Sequence, residues 1–427
     1  MGNHDVKVRP GRNIAGAVRL PGDKSISHRY AMLGALAEGC TRLRNFSTGA
    51  DCASTLAAVA ALGASVRRET DVLEIHGARW HTPAHPVDCG NSGSTIRMLS
   101  GLLAGQPFTS ELKGDASLSR RPMKRIIEPL TRMGARIEAA SEGRPPLRIS
   151  GGSLAGIDYR LPVASAQVKT AILFATLFAR GTTRVEEPVR TRDHGELALT
   201  AFGAQLMRNG NCVTMAGGQA LRSIEATVPG DISSAAFFLC AAALFPGSNL
   251  LVDSLLMNPT RAALLDVLAG MGTRFSVLNL EEHHGELVGT VRVEGAQLKG
   301  ATISGALSAA LIDELPVLAA IAPYTVSGIA IRDARELRVK ESDRIAVVAA
   351  NLRAMGARVE EREDGLQIAG GQTLHGAEID SAGDHRIAMA FAIAGLRAQG
   401  ETIIHDADAA RISYPEFFTT LEALVER

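Results

Sequence analysis

Leu20-Pro21-Gly22-Asp23-Lys24-Ser25-Ile26-Ser27-His28-Arg29 decides how this chain folds. A Pro-Gly break, a lysine, two serines and an arginine stand just ahead of an apolar run with helical character. The first N–H groups of a helix lack intrahelical partners and carry partial positive charge, so they attract anions. Lys24 and Arg29 add full charges, and Ser25 and Arg29, four apart, share one helical face. The stretch is suited to holding a phosphate or a carboxylate. An ordinary capped helix with solvated charges would look similar, but the chain repeats the arrangement. Pro21-Gly22-Asp23 returns as Pro229-Gly230-Asp231, and Ala35-Leu36-Ala37-Glu38-Gly39 as Ala243-Leu244-Phe245-Pro246-Gly247.

A second pattern runs between these echoes. An amphipathic helix ends in Gly-Ala or a near variant and a β-branched strand follows. It occurs at Leu62-Gly63-Ala64, Met133-Gly134-Ala135, Phe202-Gly203-Ala204, Met271-Gly272-Thr273 and Met355-Gly356-Ala357. Glycine is the natural residue just past a helix end, where φ turns positive. A sixth copy is expected at the helical pattern Phe417–Leu424. Polar openings near Lys24, Ser92, Ser165, Asp231, Leu307 and Asp384 each feed a nearly all-apolar helix, and a helix apolar on every side is buried. A repeat of roughly 70 residues exceeds solenoid units and favours closed lobes. The expected fold class is therefore α/β (α+β), with two lobes of three repeats, buried helices and outer sheets. The Pro-Gly steps set the expected domains at 21–230 and at 1–20 plus 231–427. If the lobes face one another, the helix N-termini could converge on the cleft between them.

At 427 residues the chain is too long for one comfortable core. Lys+Arg and Asp+Glu balance at 45 each, which argues against nucleic acid or an anionic membrane as partner. Any anion binding must be local. Five cysteines, Cys40, Cys52, Cys89, Cys212 and Cys240, show no Cys-x-x-Cys spacing, which suits a reducing cytoplasm better than disulfides or a zinc site. The polar N-terminus predicts no secretory signal, and Val6 stands where a myristoylation site wants Ser or Thr. The longest apolar run, Ala235 to Phe245, is too short to cross a bilayer. A soluble, cytoplasmic protein is expected.

The chemistry-bearing stretches fall in both halves. The first carries Lys24-Ser25 with Arg29, Asn91-Ser92-Gly93-Ser94-Thr95 with Arg97, Arg120-Arg121-Pro122, Ser165-Ala166-Gln167 and Arg192-Asp193-His194. Gly93 lets backbone approach a ligand, and the arginine pair offers a bidentate grip on carboxylate or phosphate. The second carries Asp313-Glu314-Leu315-Pro316, Arg338-Val339-Lys340-Glu341-Ser342-Asp343-Arg344 and Asp384-His385-Arg386. Asp313 follows the apolar helical segment Ala306–Ile312, where burial would suit it to general-base work. Lys340 and Arg344, four apart, would share a face if helical. There is no Walker A, Gly-x-Ser-x-Gly elbow or His-Glu-x-x-His pair.

Taken in order, seven of these stretches resemble the 5-enolpyruvylshikimate-3-phosphate synthases, essentially end to end. They are Gly22–Arg29, Gly90–Gly93, Arg121–Met123, Ser165–Gln167, Asp313-Glu314, Arg338–Arg344 and Asp384–Arg386. The resemblance implies two inside-out lobes of three repeats and transfer of the enolpyruvyl group of phosphoenolpyruvate to the 5-hydroxyl of shikimate 3-phosphate, with release of phosphate. It implies that Lys24, Ser25, Arg29, Ser165, Ala166, Gln167, Arg192, Asp313 and Lys340 line the shikimate 3-phosphate site. Lys24, Gly93, Arg121, Gln167, Arg344 and Arg386 would hold phosphoenolpyruvate. Asp313 would take the hydroxyl proton, and Glu341, together with Lys24, would protonate the methylene carbon. No metal or organic cofactor is implied, and a monomer is expected.

The chain departs from the family pattern at three places. Ala166 stands where many members have a second serine, with Arg192 as the candidate replacement. Glu336 replaces an asparagine, and Ile412, beside Arg411, fills the place of a lysine. Gly93 leaves room for glyphosate where tolerant members carry alanine. The UDP-N-acetylglucosamine enolpyruvyl transferases are the nearest alternative, but they use a cysteine in the loop matching Gly114–Pro122, and this loop has none. A non-catalytic phosphometabolite-binding protein is the other alternative; carboxylates such as Asp313 and Glu341 would weaken pure anion binding.

Overall fold

The polar openings become helix caps. In this computed structural model, which describes residues 4–427, Asp23, Ser92, Ser165, Asp231 and Asp384 each accept a bond from an N–H two or three residues on. They start the helices Lys24–Gly34, Gly93–Ala104, Ala166–Thr176, Ile232–Leu244 and His385–Gly395, all largely buried. Side chains that hydrogen-bond the first turn satisfy N–H groups that burial would otherwise orphan.

The fifth opening departs from expectation. The segment expected as helix to Ile312 stops at Ala310, and a second helix runs over Leu315–Ile321. Pro316 explains the break, because its ring would clash with the carbonyl four residues earlier, at Ile312. Asp313 therefore sits in an interrupted stretch rather than past the end of one helix.

The outer helices Ala50–Ala61, Lys124–Met133, His194–Ala201, Ala263–Met271 and Arg344–Ala354 end as the sequence implies. Gly63, Gly134, Gly203, Gly272 and Gly356 lie at φ of 120°, 117°, 93°, 116° and 87°. Five glycines in the left-handed region mark five equivalent chain reversals.

Among the described residues the strands form seven sheets. In the first, Cys40–Arg44 pairs parallel with Glu225–Thr227 and antiparallel with Val72–His76, which pairs antiparallel with Ser65–Glu69. The same order of one parallel and two antiparallel pairings recurs in the sheets built on Thr109–Lys113, Thr182–Glu186 and Ile329–Ile331. A five-stranded sheet holding Asn13–Arg19, a three-stranded sheet holding Val6–Val8 and a two-stranded parallel pair of Leu154–Ala155 with Ala179–Arg180 complete the seven. Strand faces alternate between buried and exposed, as expected for sheets with one wet side.

The chain divides into two compact units. One comprises the chain to Pro21, Pro229–Glu282 and Leu287–Arg427; the other comprises Gly22–Val228 and His283–Glu286. The last four residues were expected in the first unit. They group with the second because Glu286 Oε1 lies 2.6 Å from His194 Nδ1, both buried, and His284 Nε2 lies 3.0 Å from the Glu225 carbonyl.

Within the Gly22–Val228 unit the helices Gly93–Ala104 and Ala166–Thr176 touch backbone to backbone. A Cβ on Gly101 would fall 2.1 Å from the Ala171 carbonyl oxygen. In the other unit, Ile232–Leu244, Leu315–Ile321 and His385–Gly395 pack on one another, and Phe237, Phe238, Tyr414 and Phe417 form an aromatic cluster. Among the described residues no helix is long and apolar enough to cross a membrane.

Candidate active site

The first cluster lies in the Gly22–Val228 unit and grows from three helix starts. Asp23 caps the helix that carries Lys24, Ser25 and Arg29. Lys24 Nζ reaches Asp51 Oδ2 at 3.0 Å, so its ammonium is held at the helix start rather than swinging in solvent. Arg29 is buried; it donates Nη1 to the Ser25 carbonyl at 2.8 Å and Nη2 to Thr170 Oγ1 at 2.9 Å, while its Nε has no partner among the described residues. Burial pushes the Arg29 guanidinium down to about 10, and Arg192 adds repulsion against the opposing pull of Glu196 and Asp23.

The second and third helix starts interlock. Gln167 Oε1 accepts from Arg97 Nη1 at 2.9 Å, and its Nε2 donates to Ser94 Oγ at 2.9 Å. Ser165 caps the helix and Ala166 is its first residue. Arg121, largely buried, donates Nη2 to Asn91 Oδ1 at 3.0 Å. Gly93 faces both arginines: a Cβ there would lie 2.6 Å from Arg97 Nη1 and 3.3 Å from Arg121 Nη1. A side chain at 93 would occupy space that both cations border.

The second cluster lies in the other unit and centres on a carboxylate. Asp313 Oδ1 has Arg344 Nη1 at 3.8 Å, Lys340 Nζ at 3.9 Å and Arg386 Nε at 3.9 Å. Arg386 Nη1 also donates to the Asp313 carbonyl at 2.7 Å. Glu341 accepts from Arg344 Nη2 at 2.6 Å. Burial disfavours the Lys340 ammonium and holds it below the ordinary lysine value, against the attraction of Asp313. Arg344 is held above its ordinary value despite burial, because Asp384 and Glu341 surround it.

Lys340 and Arg344 do not share a helical face as expected. Arg335–Val339 is a short 3-10 turn, Lys340 is extended, and the helix starts only at Arg344 behind its cap Asp343. The two cations converge on Asp313 across that bend. Glu336 is exposed, and Arg411 is a surface residue paired with Asp408 at 3.1 Å.

Four supporting residues escaped the sequence reading as site members: Asp51, Arg97, Thr170 and Asp384. Arg97 and Asp384 stand inside quoted motifs, so their position four or fewer residues from Gly93 and Arg386 was the available signal. Asp51 and Thr170 are brought in by tertiary packing and carry no local one.

A mixed α/β fold that sets carboxylates among cations in both clusters is suited to small anionic ligands. A family model for EPSP synthase (3-phosphoshikimate 1-carboxyvinyltransferase) matches residues 8–421. The 3-phosphoshikimate 1-carboxyvinyltransferase of Koribacter versatilis is 64% identical over 99% of both chains, and that of Solibacter usitatus 55% identical over 99% of this chain and all of its own. The solved EPSP synthase of Acinetobacter baumannii superposes with a TM-score of 0.89 at 40% identity, covering 99% of this chain and 98% of its own. The chain belongs to the EPSP synthase family and is a transferase. These relatives do not favour the UDP-sugar alternative.

Proposed function

We propose that the chain transfers the enolpyruvyl group of phosphoenolpyruvate to the 5-hydroxyl of shikimate 3-phosphate, releasing phosphate, with the two clusters dividing the work. The observation that carries the residue assignment is Asp313, a carboxylate within 4 Å of three cations. A base among anion-binding groups suits proton removal from a hydroxyl on a phosphorylated substrate.

In this reading Lys24, Ser25, Arg29, Ser165, Gln167, Arg192 and Lys340 hold shikimate 3-phosphate, with Ala166 beside them. Arg192 replaces the hydroxyl that Ala166 lacks; its charge opposes that of Arg29. Lys24, Gly93, Arg121, Gln167, Arg344 and Arg386 hold phosphoenolpyruvate. Asp313 takes the 5-hydroxyl proton as the oxygen bonds to C2 of phosphoenolpyruvate. Glu341, with Lys24, delivers a proton to the methylene carbon. The tetrahedral adduct then loses phosphate and a methyl proton, which restores the enol ether. The cations stabilise phosphate charge throughout.

Arg344 Nη2 donates to Glu341 Oε2. Binding of the phosphoenolpyruvate carboxylate gives Arg344 a competing anion, freeing Glu341 to carry its proton. The proposal includes a monomer in the cytoplasm. Phosphate release from phosphoenolpyruvate, assayed with shikimate 3-phosphate and with UDP-N-acetylglucosamine, tests the reaction. Release with the first acceptor alone is expected; none with shikimate 3-phosphate would overturn it.

A further inference from the structure

Cys40 opens the strand Cys40–Arg44, and its register partner is His76, the last residue of Val72–His76. Side chains alternate faces along a strand, so Glu74, two residues before His76, lies on the same face. The thiol sulfur, a carboxylate oxygen and a ring nitrogen of these residues all fall within 4.8 Å of one another. Among the described residues this is the one group of three or more such side chains at that spacing. Thr41, Leu43, Leu73 and Ile75 fill the opposite, buried face. The three potential ligands face outward, with Cys40 and Glu74 half-buried and His76 exposed.

We propose that Cys40, Glu74 and His76 form a binding site for a borderline-soft divalent cation of the Zn²⁺ type, with the fourth position left to water. Thiolate and imidazole select against Mg²⁺ and Ca²⁺, which prefer all-oxygen shells. Zn²⁺ takes one sulfur, one nitrogen and one carboxylate oxygen in a tetrahedron, and three protein ligands leave an open position. Closing the set needs only side-chain rotation, because the backbone register already holds Cys40 opposite His76.

Arg42 is the built-in competitor. Its Nε lies 2.9 Å from Glu74 Oε1, and its side chain is half exposed. With its arginine half exposed and screened by solvent the pair is weak, so a divalent cation can displace it. Spacing along the chain hides the site: the cysteine and histidine are far apart in sequence, and only sheet register joins them. That is why the cysteine spacing read as lacking a zinc motif. None of the four residues has a role in the proposed reaction, so the site is tested by binding rather than turnover.

Zn²⁺ is titrated into the full chain against a chromophoric chelator, and Co²⁺ is followed by its thiolate charge-transfer absorption. One ion per chain is expected. Cys40→Ser should abolish the cobalt–thiolate band, and Cys40→Ser and His76→Gln should each weaken Zn²⁺ binding at least about tenfold. Arg42→Ala should strengthen it severalfold by releasing Glu74. His76 is exposed, so His76→Gln keeps the fold if Cys40→Ser does not. No stoichiometric binding, or unchanged affinity in both ligand variants, would overturn the site. Unchanged or weaker binding in Arg42→Ala would overturn Glu74 as the third ligand.

Discussion

Arg344 and Asp384 form a buried, two-point pair: Arg344 Nε donates to Asp384 Oδ2 at 2.8 Å and Nη2 to Oδ1 at 3.2 Å, and both side chains are almost fully buried. Asp384 also caps His385–Gly395 and accepts from Ser342 Oγ at 3.0 Å. Burial alone would raise the Asp384 carboxyl, but the Arg344 guanidinium holds it below its ordinary value. Asp384→Asn keeps a capping oxygen while removing the charge that balances Arg344. Stability should fall by about 3 kcal/mol, the usual order for breaking one side of a buried pair. A urea titration of both proteins checks this, and a loss under about 1 kcal/mol would mean the pair is structurally idle.

For Asp313, replacement by Asn or Ala should separate binding from chemistry. The three surrounding cations lose a carboxylate and keep their attraction for anionic substrates. Turnover should drop about 10²- to 10⁴-fold, the range for losing a general base. The KM for shikimate 3-phosphate should change little. Near-normal turnover in steady-state assays would remove Asp313 from its assigned role.

Gly93→Ala tests the close approach of two arginines. The new methyl would meet Arg97 Nη1 at 2.6 Å and Arg121 Nη1 at 3.3 Å, both at the ends of flexible side chains. The fold should therefore survive, while displaced cations raise the KM for phosphoenolpyruvate. The unsubstituted enzyme should be inhibited by glyphosate and the variant less so. Full turnover of the unsubstituted enzyme in excess glyphosate would refute this.

His28 should make the protein acid-sensitive. Its ring is fully buried, with Nδ1 2.7 Å from Thr55 Oγ1, which lies 2.6 Å from Thr95 Oγ1. Burial, with Lys24 and Arg29 nearby, holds its pKa well below the ordinary 6.5. The unfolded chain thus takes up a proton below 6.5 that the folded chain refuses, so stability falls with falling pH until the folded value is reached. The slope from this group is about 1.4 kcal/mol per pH unit. Urea midpoints from pH 7 to 5 should show it, and His28→Asn should flatten it; an equal slope in both would assign it elsewhere.

Helix starts and ends are legible in the local sequence. Helix caps such as Asp23 and Ser92, and the glycines that end the outer helices, announce themselves because capping and positive φ restrict the residue choice at one position. Errors arose where a local rule met tertiary context. The apolar pattern predicts helix to Ile312 where the helix stops at Ala310, and Lys340 and Arg344 meet across a bend where spacing suggests one helix. Lys169 was invisible for a related reason. It is fully buried in Ala166–Thr176 because Glu187 and Glu196, from later segments, lie 3.0 and 2.7 Å from its ammonium.

The unit Gly22–Val228 begins and ends at one spot. A Cβ on Gly22 would fall 2.9 Å from the Val228 side chain, and Asn45 Nδ2 donates to the Val228 carbonyl at 3.0 Å. In the flanking unit, the Asp231 N–H donates to the Pro21 carbonyl at 3.0 Å. A guest segment of this kind, entering and leaving through adjacent doors, leaves the host's continuity nearly undisturbed. During synthesis the guest can mature while most of its host is still being made. The host must wait for Val425–Glu426, made after the guest, to pair with Asn13–Arg19, made before it.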